Sequence, residues 1–394
     1  MTTIYLDSTA TTPVSKEVLS AMLPVMTENY GNNSSRHHVG RKASALVENA
    51  RDTIAKAINC QSSEIYFTSG GTEANNWAIR GIAHANLRKG NHIITSKIEH
   101  HSVLEACHQL EREGFEVTYL DVDEHGLINF PQLLHSIRPT TTLISIVGAN
   151  NEIGTVQYIK AIAQTAHEKG IIFHVDAVQL FAHMDIDVEE LGIDAMSISA
   201  HKLYGPKGVG ALYVNNDIMF DNLLYGGQQE RAKRPGTVNV AGVVGFGKAV
   251  EVLGRDLHTN EYKIRKLRDY FKAQLVHDIE DIAFNGHQSQ CLNSIVSVSF
   301  AGVDGEALMT MLDLNGICVS TGSACSSSSH LDSHVIMALG RENHLVKSTI
   351  RFSFGIYNTF EEIDATITAL VEFVNKLRAI SPTYKKGVLC TTKK

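Results

Sequence analysis

Seven short apolar runs, separated by longer stretches with helical spacing, fill residues 60–215 and constrain the fold of this 394-residue chain more than any other feature. The runs are EIYFTS (64–69), HIITSK (92–97), FEVTYLDV (115–122), TLISIVGA (142–149), IIFHVDAVQ (171–179), AMSISA (195–200) and GVGALYV (208–214). Their β-branched content and length suit strands buried on both faces. Between them, EANNWAIRGIAHANLRKG and QYIKAIAQTAHEKG are periodic at helical spacing and end at Gly, a usual helix stop. Such alternation predicts a mostly parallel sheet with helices on both faces, an α/β fold.

Beyond residue 240 the texture changes. Residues 240–278 read as one or two helices. NSIVSVSF (293–300), a helix at 304–315, ICVST (317–321), TIRFSFG (349–355) and a last helix near 359–378 follow. These predict a smaller α+β unit. The expected division is a large domain over 15–255 and a small one from 1–14 with 256–394, the boundary falling inside the long helix. A chain of this length, with 43% apolar and 20% charged residues, buries ample core without disulfides. Its six cysteines show no C-x-x-C pairing and read as reduced thiols of a cytoplasmic protein. The net charge of −7 argues against broad nucleic-acid binding, so no direct nucleic-acid partner is expected. No apolar run approaches the roughly 18 residues of a membrane span. The N-terminal MTTIYLDSTATTP lacks the basic start and apolar core of a secretory signal. Histidines are plentiful, but no H-E-x-x-H or finger spacing occurs, and no metal is expected.

Three segments carry chemistry. In YFTSGGTEANN (66–76) a strand ends, two glycines follow and Thr72 opens a helix. Free N–H groups and the dipole at such a helix start favour a phosphate, and Gly70 and Gly71 allow close backbone approach. A plain tight turn before a helix has the same pattern. In SAHKLYGPKG (199–208), Lys202 follows a buried strand. A lysine in a dry pocket forms Schiff bases, whereas composition alone reads it as a surface residue of a hairpin. Asp176 ends the otherwise apolar IIFHVDAVQ. A buried carboxylate needs a cationic partner, and strand C-termini are where open α/β sheets bind ligands. A helix N-cap before Ala-Val-Gln is the other reading.

A phosphate cradle, then Asp176, then Lys202 about 26 residues later resembles the order found in fold-type I pyridoxal-phosphate enzymes. The chain is more closely similar to the class V aminotransferase family and, within it, to the cysteine desulfurases of the IscS/NifS group. TSGGTEANN, EHHSVL, NNEIG, HVDAVQ, SAHKLYGPKG, RPGT and STGSACSSSS occur in family order, between YLDSTATTP (5–13) and TIRFSFG, with the tail ISPTYKKGV beyond. The resemblance implies a mostly parallel seven-stranded sheet in the large domain. The smaller α+β domain would carry a mobile cysteine loop at about 320–334. It further implies conversion of L-cysteine to L-alanine with pyridoxal 5'-phosphate as cofactor. Sulfur would pass to Cys325 as a persulfide, then to an acceptor protein: an iron–sulfur scaffold, a tRNA-thiolating protein or a DNA-phosphorothioation protein.

Carried over residue by residue, Lys202 would anchor the cofactor and move the α-proton. Asp176 would pair with the pyridine nitrogen. His100 would stack on the ring and act as acid or base near the sulfur, its neighbour His101 being less suited. Gln179 would bind the phenolic oxygen, with Asn151 near the same edge. Gly71, Thr72, Ser199 and His201 would hold the phosphate. Thr237, in RPGT, would reach the phosphate from a second subunit, which implies a homodimer. Arg351 would clamp the substrate carboxylate with its planar fork, Asn32 being a second candidate. Cys325 lies in STGSACSSSSH, which taken alone reads as a linker with an exposed thiol; the resemblance makes it the nucleophile.

Some positions depart from the family pattern: Ser8-Thr9, Asn33 in place of a proline, Gln228, Ala232 and Pro235. Pro235 stiffens the loop that delivers Thr237. Three rivals share these residues. An aminotransferase or selenocysteine lyase of the same fold is one, although a plain aminotransferase needs no thiol. A sulfur-relay docking protein with feeble catalysis of its own is the second. A silent pyridoxal-binding protein is the third, disfavoured because Lys202, Asp176 and Cys325 are all present.

Overall fold

The structure, a computed structural model, describes residues 3–321, 332–382 and 384–387. Cys325 and most of the expected cysteine loop lie outside the described residues.

All seven apolar runs form strands of one sheet: β1 (Ile65–Thr68), β2 (His92–Ser96), β3 (Glu116–Leu120), β4 (Thr141–Val147), β5 (Ile172–Asp176), β6 (Ala195–Ser199) and β7 (Gly210–Val214). Their order is β1-β7-β6-β5-β4-β2-β3. Only β7 runs antiparallel to its neighbours. Successive side chains of a strand point to opposite faces, and the sheet uses both. Ile94, Ile144, Phe173, Met196 and Ala211 enter one core, with Val47 and Ile54 of helix His38–Ala57 and Ile162 of helix Ile159–His167. Ile93, Leu143, Ile172, Ala195 and Leu212 enter the other, with Trp77 and Ile82 of helix Gly71–Ala85 and Val103 and Leu110 of helix His101–Arg112. FEVTYLDV departs from the expectation of two buried faces. It is the edge strand β3, where only Leu120 is fully buried.

The smaller unit holds four antiparallel strands, β8 (Ile282–Asn285), β9 (Ile295–Phe300), β10 (Ser320–Thr321) and β11 (Thr349–Ser353), in the order β10-β11-β9-β8. Residues 240–278 form a single helix, Val240–Asp278. Val243, Phe246 and Val250 of that helix pack into the first core. Ile264, Leu267, Phe271 and Leu275 pack with Val298, Ile350 and Phe352 of the smaller unit. The N-terminal segment joins the smaller unit too: Ile4–Tyr5 pairs with Ile317–Cys318, and Asp7 bridges to Ser353. Residues 7–12 thereby run from β11 to the carboxyl edge of the large sheet.

Candidate active site

A cavity of about 470 Å³ opens at the carboxyl ends of β1, β2, β4, β5 and β6, where the seam with the smaller unit closes over them. Its floor begins at the turn after β1. Gly70 has φ +155°, and a Cβ on Gly71 would sit 2.6 Å from Val178 Cγ2, so both positions require glycine. Helix Gly71–Ala85 starts here and turns its free N–H groups, with Thr72, to the cavity.

Asp176 ends β5 at the centre of the floor. Its Oδ2 accepts a hydrogen bond from Asn75 Nδ2 at 2.7 Å and its Oδ1 one from Val178 N at 3.1 Å. The residues after it form turns, and the next helix begins at Val188, so Asp176 caps no helix. Asn75 also donates to Ser102 Oγ at 2.9 Å, and Ser102 Oγ lies 2.7 Å from His100 Nδ1. The Ser102 backbone N–H donates to that same Nδ1 at 3.1 Å. Nδ1 is therefore an acceptor, and the ring proton of neutral His100 sits on Nε2. Burial pushes the His100 pKa down, Asp176 pulls it up, and Lys202 and His101 press it down further. Sequence reasoning did not single out Asn75. It stands in the quoted motif GTEANN, and the signal that it mattered was a polar residue on the buried side of an amphipathic helix.

Lys202 stands on a short turn of 3-10 helix, Ala200–Lys202, directly after β6. Its Nζ donates to the carbonyl oxygens of Thr9 (2.6 Å) and Ala10 (2.8 Å), and Gln179 Nε2 donates to the same Thr9 oxygen at 3.0 Å. It is no hairpin surface lysine. His201 Nδ1 meets Thr11 Oγ1 at 3.1 Å. Burial, then Lys202 and Lys207, bring its pKa down to about 4, so the ring is neutral at pH 7. Ser199 lines the same wall.

Arg351 enters from β11 and is 2% exposed. It donates to Asn151 O at 3.0 Å and to Asp7 Oδ1 at 2.8 Å. Two further carboxyl groups, absent from the sequence reading, line the cavity. Glu99 accepts from Ser96 Oγ at 2.5 Å and burial pushes its pKa up to about 8. Glu152 accepts from Ser333 Oγ at 2.5 Å and burial pushes it up to about 7, against the pull of that bond and of Arg351.

The structure thus gathers Lys202, Asp176, His100, Gln179, Asn151, Gly71, Thr72, Ser199, His201 and Arg351 around one space. Two expected residues stand elsewhere in the chain. Asn32 is exposed, its Oδ1 accepting from Ser34 N at 2.8 Å. Thr237 is exposed and lines a separate cavity of about 220 Å³ with Ser69, Arg234 and Gly236. The loop leading to it is held by Glu230, whose carboxylate makes a buried two-bond pair with Arg51 (2.7 and 2.8 Å) and accepts from Phe67 N at 2.9 Å.

The residues present fit pyridoxal 5'-phosphate. The glycine cradle and helix start suit its phosphate, and Asp176 suits a protonated pyridine nitrogen. Asn75 Oδ1, Thr9 Oγ1 and Arg351 Nε are buried polar atoms of the wall with no hydrogen-bond partner among the described residues, which calls for a polar occupant.

Residues 4–366 match the class-V aminotransferase family. The chain is 50% identical over 383 residues to the cysteine desulfurase IscS of Dictyoglomus turgidum, covering 97% of each chain. A solved NifS-like protein superposes with a TM-score of 0.90 at 35% identity, covering 95% of this chain and all of the other. The structure of SspA in complex with cysteine gives 0.81 at 38% identity, covering 91% of this chain and all of the other.

Proposed function

The chain belongs to the class-V aminotransferase family, and from that premise we propose how its own residues carry out the work of a cysteine desulfurase. It is a pyridoxal 5'-phosphate-dependent enzyme that takes sulfur from L-cysteine. When bound, the cofactor supplies an electron-withdrawing ring that takes up charge from the substrate's α-carbon.

Lys202 would be the covalent anchor, and its Nζ would remove the α-proton. Asp176, held by Asn75 and the Val178 N–H, would pair with the pyridine nitrogen. His100 would pack against the ring and act as acid or base near the sulfur. Gln179 and Asn151 would hold the phenolic edge. Gly71, Thr72, Ser199 and His201 would hold the phosphate. Arg351 clamps the substrate carboxylate. The Cys325 thiolate attacks the substrate sulfur. The carbon–sulfur bond breaks and a proton returns to the β-carbon, leaving L-alanine and a Cys325 persulfide. Thr237 completes the phosphate site of a second subunit in a homodimer. An acceptor protein, of an iron–sulfur, tRNA-thiolation or DNA-phosphorothioation system, then takes the sulfur. We place the enzyme in the cytoplasm; among the described residues no helix is long and apolar enough to cross a membrane.

The observation that carries this reading is the bonded chain Asp176–Asn75–Ser102–His100, set in one cavity with Lys202 and the buried Arg351. The test is alanine formation from L-cysteine by Cys325→Ala. That variant should bind cofactor and show the cysteine-induced change in its absorbance, yet make almost no alanine. Alanine at the unmodified enzyme's rate would overturn the assignment of Cys325.

A further inference from the structure

Residues 333–339 are fastened to the cavity wall in three ways. Ser333 Oγ donates to Glu152 Oε2 at 2.5 Å, both side chains being buried. His334 Nε2 lies 3.0 Å from the carbonyl oxygen of Glu99. Val335, Ile336 and Leu339 pack with Ile98, Val147 and Ile153, which back the same wall. Ser333 Oγ also accepts from Ile336 N at 3.1 Å as the N-cap of helix His334–Ala338, and donates its proton to Glu152 when that carboxyl is ionised.

On the other flank, β10 pairs with the strand of Arg351, Ser320 lying opposite it. Thr321 precedes Cys325 by four residues and Ser333 follows it by eight. An extended chain gains at most about 3.5 Å per residue, so where these two roots are fixed bounds where the thiol can act. Both are fixed to residues of the site itself. A buried carboxylate is costly unless bonded, and an apolar side chain would fill the same volume at lower cost. Among the described residues, the hydrogen bond to the Glu152 side chain comes from Ser333.

The geometry points to Glu152 as a positioning residue for sulfur transfer: through Ser333 it fixes the C-terminal root of the segment that bears Cys325 against the L-cysteine site. The inference rests on the desulfurase reading above and adds to it a residue that acts only through another.

The test uses the holoenzyme and three replacements of Ser333. Ser333→Thr keeps both cap and donor. Ser333→Asp keeps the cap but sets an acceptor against Glu152. Ser333→Ala removes both. For the alanine and aspartate variants kcat for alanine formation should fall by about tenfold, the scale on which small misplacements of a reacting group are felt. KM for cysteine and the cofactor absorbance should stay unchanged, and the threonine variant should return to within about threefold of the parent. In the cofactor-free protein, the rate at which iodoacetamide alkylates Cys325, read by peptide mass spectrometry, should shift for the same two variants. Glu152→Ala combined with Ser333→Ala should cost no more than either alone. Full kcat in Ser333→Asp, losses that add in the double variant, or a kcat loss matched by lost cofactor binding would each overturn the inference. If the parent enzyme makes no alanine from cysteine, the desulfurase reading itself fails; the alkylation rates report on the anchor separately.

Discussion

The floor and the rim of the cavity are built in different ways. The floor comes from strand ends of one sheet, within residues 66–202, and its backbone is fixed by the ladder of hydrogen bonds. The rim comes from Thr9 and Ala10, from Arg351 of β11 and from His334, parts of the chain brought in from far away in sequence. On the floor, Asp176 receives two donors within hydrogen-bond distance. At the rim, Arg351 reaches Asp7 and the Asn151 carbonyl but leaves its Nε buried without a partner among the described residues. The floor fixes Asp176 before anything binds and leaves open oxygens, Asn75 Oδ1 and Glu99 Oε2, whereas the rim keeps an unspent donor for a ligand. Preorganisation therefore belongs to the cofactor end and specificity to the substrate end.

The largest effect should come from the centre of the floor. Lys202→Ala should lower alanine formation by about 10³-fold or more, and the visible absorbance of the anchored cofactor should vanish. A variant that keeps that absorbance would remove Lys202 from its role. Next is Arg51→Ala, which strands Glu230 as a buried unpaired charge beneath the loop to Thr237. Breaking such a pair costs about 3–5 kcal/mol, to be read from denaturant unfolding. Asn75→Ala removes one donor from Asp176 and one from Ser102, a loss of about 1–3 kcal/mol, or about five- to 160-fold in kcat/KM. An equal loss for Arg351→Lys with KM unmoved would erase the distinction between floor and rim, because the rim residue is expected to act on KM.

Smaller effects follow from charge and strain. Burial raises the pKa of Glu99 to about 8. Between the unfolded carboxyl value of about 4.3 and that point the folded state holds the extra proton, so this group's contribution to stability falls as pH rises across the interval. Glu99→Gln should therefore gain stability over the parent progressively from pH 5 to pH 8, measured as the difference in Tm. A difference flat with pH would show that Glu99 is ionised throughout. The smallest effect concerns Ala232, which sits at φ +63° where glycine would be relaxed. Ala232→Gly should gain about 1 kcal/mol or less, with no change in kcat.

Most of the floor was legible in the sequence because strands declare themselves by period and the motifs by order. All seven strands, Gly71, Asp176 and Lys202 lie in segments whose local pattern already marked them. The helices before residue 60 escaped that pattern, and β3 was misjudged because an edge strand and a central one share β-branched content. The bonding that orients the site was not legible either. Asn75 and Asp176 are 101 residues apart, Glu152 and Ser333 181, Asp7 and Arg351 344. No spacing rule links such positions; only the packed cores bring them together. The split of the long helix between two cores supports a domain boundary near residue 255, which we propose on that ground.

The central claim is that sulfur leaves L-cysteine over this floor and arrives on Cys325. A single turnover of cofactor-loaded enzyme with L-cysteine, quenched without reductant and followed by peptide mass spectrometry, tests it most directly. The expected result is one added sulfur atom on the peptide containing Cys325 for each alanine released, and none with Lys202→Ala. Alanine released with no sulfur on that peptide, or with the sulfur on Cys291 or another thiol, would contradict it.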